Sequence, residues 1–123
     1  MSEREGLDAQ IAQRLFGWTW GRCSPRCWYT QDGFHTADGA HVWRLPAYST
    51  DPTATAQVWQ WVEQQAGGLL WIEFQYRDGF VACYPMSARH EATGAGATWP
   101  EALCRAALAV AEGLDTGEGE HHA

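Results

Sequence analysis

The chain has 123 residues, 46% hydrophobic and with eight tryptophans, enough apolar material for one domain with its own core and too much for a disordered chain. Fifteen Asp and Glu against eight basic residues give a formal net charge of -7, which argues against a general nucleic-acid binder, since phosphate contacts need a basic stripe. The balance fits a soluble protein, an acidic mimic of DNA, or a protein whose few cations gather at one anion site; all eight are arginine, so arginine is the only phosphate fork available.

In chain order, Leu7, Ile11 and Leu15 recur every four residues and predict a helix over about 6–16 that FGWTWG ends. Residues 18–48 alternate aromatic residues with turn signals, and the DG pairs of QDGFH and ADGAH predict tight turns between short strands. In STDPTATAQVWQWVEQQAGG, Asp51 is placed to cap a helix that Pro52 opens, with Ala54, Val58, Trp61 and Val62 inside and Gly67-Gly68 as the stop. LLWIEFQY and FVACYPM, separated by RDG, read as a β-hairpin, with Ile72 and Phe74 alternating against Trp71, Glu73 and Gln75. EATGAGA reads as a third strand or a loop, its glycines permitting a bulge or the close approach of another backbone or a ligand. Thr98 with Glu101 then forms a capping box for a last helix to about Leu114, and residues 115–123 read as a flexible tail. The order predicts a single α+β domain, helices packed on an antiparallel sheet.

Catalytic patterns are absent, and a non-enzyme is expected. Glu73, Asp78 and Glu101 have strand, turn and capping roles, the serines lack a nucleophile elbow, and GAGATW has no phosphate-loop spacing. Cys23 and Cys27, spaced C-x-x-x-C with His35 and His41 downstream, form a looser set than structural zinc knuckles, so no metal and no cofactor are expected. With no apolar run of membrane-spanning length and a charged MSEREGLDAQ opening, a cytoplasmic location with reduced cysteines is expected, Cys104 being a small core residue. Trp18, Trp20, Trp43, Trp61 and Trp71 are read as core; Trp28, Trp59 and Trp99 lie off the inner faces and suit a subunit interface or stacking on a base.

One guanidinium interrupts the apolar helix WPEALCRAALAV. On a wheel, Leu103, Ala107, Val110 and Leu114 make one stripe, and Glu101, Arg105, Ala109 and Glu112 lie roughly opposite. Glu101 precedes Arg105 by four residues, the favourable order for an ion pair, which makes a solvated stripe the simpler reading. Against it, Ala102, Ala106 and Ala109 are short enough for a neighbour to approach and partly bury the guanidinium, which would then require an anionic partner.

LDAQIAQRLFGWTW, LPAYSTDPTATAQVWQWVE and PEALCRAALAVAE together resemble the phage ABA sandwich domain family, with its GW after the first helix, P-x-Y-S-T-D helix entry and P-x-A-x-C-x-A-A-L final helix. The similarity spans roughly residues 7–112, and the C-S-P-R-C stretch has no counterpart in it. It implies an α-β-α sandwich, a homo-oligomer and a phage origin, but a fold alone gives no activity. The arginine on the last helix and the aromatic-rich sheet are also similar to the phage Thoeris anti-defence sponges, which bind cyclic ADP-ribose signals or cyclic oligonucleotides without cleaving them. That resemblance implies a phosphate contact at Arg105, a second at Arg22 or Arg26, and Phe80 stacked on adenine, with no nucleic-acid or membrane partner. The alternatives are a phage structural or protein-interaction protein, in which Arg105 pairs with Glu101, and an acidic DNA mimic.

Overall fold

The computed structural model describes residues 6–22, 32–42, 44–66, 71–75, 79–87 and 90–116. Its first element is α1 (Leu7–Phe16), whose Ile11, Ala12 and Leu15 face the core, and which stops where Gly17 turns left-handed at φ 74°. A small antiparallel sheet follows, β1 (Thr19–Arg22), β2 (Asp32–His35) and β3 (His41–Val42), in that spatial order.

The two DG pairs behave differently. Asp38-Gly39 turns between β2 and β3, with Gly39 at φ 94° and Thr36 bonded across the turn to Ala40. The Thr36 hydroxyl also donates to Asp38 and, with the Ala40 amide, holds the Asp38 carboxyl below its ordinary value. Asp32-Gly33, expected to be a turn, instead lies inside β2, opposite Arg22 and Gly21. The reason is steric: a Cβ on Gly33 would stand 3.1 Å from Cε1 of His41, so glycine here makes room for an imidazole.

The segment before α2 (Pro52–Ala66) is wedged into the core. Tyr48 is buried and stacks on Phe16 at 5.4 Å between ring centroids. Its carbonyl accepts from the Thr55 hydroxyl and the Cys104 thiol, and the Ser49 amide donates to Asp8 of α1 at 2.8 Å. Asp51 Oδ1 accepts the Thr53 amide at 3.0 Å, the cap expected for a helix opening on Pro52. Ala54, Thr55, Val58 and Val62 are buried on the inner face of α2.

A second antiparallel sheet has the order β4 (Trp71–Gln75), β5 (Gly79–Ser87), β6 (His90–Gly96), so EATGAGA is a strand. Helix α3 (Trp99–Thr116) packs on this sheet by one side and on α1 and α2 by another, and runs two residues past Leu114. Leu103, Cys104, Ala107, Val110 and Ala111 join the main core, whereas Ala102 and Ala106 meet Ala82 of β5. The glycines of β6 explain the close seat: a Cβ on Gly94 would lie 2.2 Å from the Ala106 nitrogen and 2.6 Å from the Ala102 oxygen. What approaches Gly94 is the α3 backbone, and what approaches Gly96 is the Glu101 side chain with the Ala102 nitrogen.

Trp18 and Trp61, expected in the core, are half-buried and pack against it; Trp20 is half-buried against Phe34, and the side chain of Trp71 lies outside the described residues. Among the described residues, the buried tyrosine and phenylalanine side chains are Tyr48, Tyr84 and Phe34. Trp59 and Trp99, expected off the inner faces, pack against the main core, Trp59 also donating its indole N–H to Glu63. Their reach explains this: a large indole on a helix flank still covers the core edge. Trp28, Trp43, the Gly67-Gly68 stop and the 117–123 part of the tail lie outside the described residues. Among the described residues, no helix is long and apolar enough to cross a membrane.

Candidate functional site

The N-terminus of α3 carries the site residue with the strongest local motif. The Thr98 hydroxyl accepts the Glu101 amide at 3.4 Å, and Glu101 Oε1 accepts the Ala97 amide at 3.0 Å, so the capping box is present but reaches one residue further back. The other Glu101 oxygen, Oε2, meets the Arg105 guanidinium at 2.9 Å, with the arginine side chain 53% exposed. The alanines beside it have let the sheet approach without burying the guanidinium.

The electrostatics of this pair are those of a surface. An exposed i,i+4 ion pair is worth about 0.3 to 0.5 kcal/mol and is weakened by salt. Its structural contribution is orientation: Glu101 is anchored by a backbone amide and in turn directs Arg105, whose side chain remains about half exposed.

Phe80 opens β5 opposite Gly96 and packs, half-buried, against Ala82, Ala102 and Ala106. It therefore lies under the sheet-facing side of the same helical turns that carry Arg105. Arg22 ends β1 opposite Asp32, in the other sheet, and Arg26 lies outside the described residues. Trp99 is in the first turn of α3 and half-buried against the main core. Of the five expected ligand contacts, Arg105 and Trp99 are carried by α3 and Phe80 packs against it, but on different sides, Arg105 exposed, Trp99 against the main core and Phe80 against the sheet-facing alanines; Arg22 is on a separate element.

The motifs that carry the family resemblance meet inside the core. The carbonyl of Tyr48, from LPAYSTD, lies 3.2 Å from the thiol of Cys104, from CRAAL. Burial, with the nearby Asp8 charge, pushes the Tyr48 phenol and the Cys104 thiol up to about 12, so neither ionises near neutral pH. Cys83 and Cys104 are both buried, unlike the accessible cysteines of nucleophilic sites.

Cys23 and Cys27 lie outside the described residues, and among the described residues no three His, Cys, Asp or Glu side chains gather as a metal-binding group. His35 and His41, however, face each other across β2 and β3 with ring centroids 5.2 Å apart. Their spacing carried the signal: each stands three residues from Asp38, at symmetric positions of the hairpin.

Comparison with protein-family models, with curated proteins and with solved structures gives no match.

Proposed function

We propose that this is a phage-encoded, non-enzymatic binding protein that sequesters a cyclic nucleotide immune signal of the host, acting as a homo-oligomer in the bacterial cytoplasm. The observation that carries the reading is the half-exposed Arg105 guanidinium, oriented by an anchored Glu101 on the last helix, where the phage sponges that the chain resembles also carry an arginine. Arginine forks with aromatic faces are the groups a cyclic nucleotide requires, and Trp99 and Phe80 are half-buried on other sides of the same helix. Sequestration needs no general base.

The test is calorimetric titration with cyclic ADP-ribose isomers and cyclic di- and trinucleotides, repeated with Arg105→Ala. Binding that the variant loses, with intact ligand recovered from heat-denatured protein, supports the reading. Absence of heat across the panel sinks it, and turnover of any ligand overturns its non-enzymatic part.

The Glu101 pairing favours a second reading, a phage protein-interaction module in which Arg105 is only an ion-pair partner. It predicts a protein partner and binding of none of these nucleotides.

A further inference from the structure

We propose that His35 and His41 form a two-imidazole site for a divalent transition-metal ion of the zinc, nickel and copper class. Imidazole suits these ions, whereas magnesium and calcium select oxygen.

The register makes His35 and His41 direct partners on β2 and β3, so their side chains leave the same face of the sheet. Their ring planes cross at 75° with centroids 5.2 Å apart. That separation can be compared with coordination geometry. A ring nitrogen lies about 1.15 Å from its centroid and a zinc–nitrogen bond is about 2.0–2.1 Å, so two imidazoles at a tetrahedral angle have centroids about 5.2 Å apart. The separation of the rings is therefore compatible with one shared ion.

The surroundings favour an open site. Gly33 precedes His35 by two residues on this face, and the His41 ring lies over the space where its side chain would be. Gly21, opposite Gly33, would meet nothing within 4 Å if it carried a Cβ. Water or an exogenous ligand would take the remaining coordination positions. His35 is buried and His41 half-buried, so one ring is held by packing while the other remains reachable from solvent.

With two protein ligands, the site is expected to bind more weakly than a four-ligand structural zinc. The full chain is titrated with Zn2+ by calorimetry and with Co2+ by visible absorption, alongside His41→Gln, His35→Gln and the double variant His121→Ala/His122→Ala. One ion per chain is expected, with affinity reduced more than about 10-fold by His41→Gln, since loss of an outer-shell partner alone costs 10–100-fold. Binding is expected to survive the double variant. The half-exposed position of His41 allows His41→Gln to keep the melting temperature of the metal-free protein, so this variant decides the matter even where His35→Gln fails to fold. No binding, or binding indifferent to His41→Gln, overturns the proposal, as does binding lost only with His121 and His122.

Discussion

Replacing Gly94 by alanine tests how α3 is seated. The new Cβ would lie 2.2 Å from the Ala106 nitrogen and 2.6 Å from both the Ala102 oxygen and the Arg105 carbonyl carbon, where real Cβ atoms essentially never approach below 3.0 Å. All three atoms are helix backbone, so no side chain can rotate away and α3 itself must lift from β6. Overpacking of this kind costs about 1–3 kcal/mol, and occasionally more; the absence of a flexible neighbour places Gly94→Ala near 3 kcal/mol. At ~2.1 cal/mol/K per residue the 123-residue chain unfolds with about 0.26 kcal/mol/K, so the melting temperature should fall by about 12 °C. Circular dichroism melts of Gly94→Ala and Gly21→Ala make the measurement, the second variant being the control because its Cβ enters open space. If Gly94→Ala melts within about 2 °C of both the parent and the control, the close seating of α3 on β6 is refuted.

The pair at the start of α3 should respond asymmetrically. Arg105→Ala is expected to change stability by less than about 0.5 kcal/mol, whereas Glu101→Ala, which also frees the Ala97 amide, should cost about 1 kcal/mol; equal losses in urea denaturation would show that the capping contact contributes nothing. Stability should also fall at high pH. Unfolded Cys and Tyr release their protons near 9.0 and 10.0, but folded Cys104 and Tyr48 hold theirs to about 12. The fold therefore favours the protonated forms: their contribution is fully present below about pH 9 and is lost as pH climbs towards 12. Urea midpoints at pH 7.5 and 10.5 check this, and an unchanged midpoint would contradict it.

The helices were legible because their signals are local. Capping by Asp51 and Thr98, the stop at Gly17 and the four-residue recurrence in α1 act within one or two turns. Gly33 was misread because a DG pair carries the same local signal in a turn and beneath a neighbouring ring; only the His41 contact separates them. The tryptophans show the same limit, since a half-buried indole is defined by what packs across from it. The site was legible at Arg105 and Glu101, whose pairing follows from helical spacing, and not at His35 and His41, whose contact depends on strand register.

Three demands on α3 explain why one arginine stands in so apolar a helix. The side packed on β6 must be small, and Ala102 and Ala106 meet that demand; the side packed on α1 and α2 must be apolar, and Leu103, Ala107 and Val110 meet it. Only the third side is free to carry charge, and the capped first turn and the glycine-lined seat fix where that charge stands. An exposed pair with Glu101, worth about 0.3 to 0.5 kcal/mol, is a weak tether. A phosphate would meet the Glu101 carboxylate as a like charge, so it would have to replace that carboxylate at the guanidinium rather than share it, and the pair it displaces is weak. The ion pair and a ligand contact are thus alternative states of the same side chain, and the presence of the first is no argument against the second.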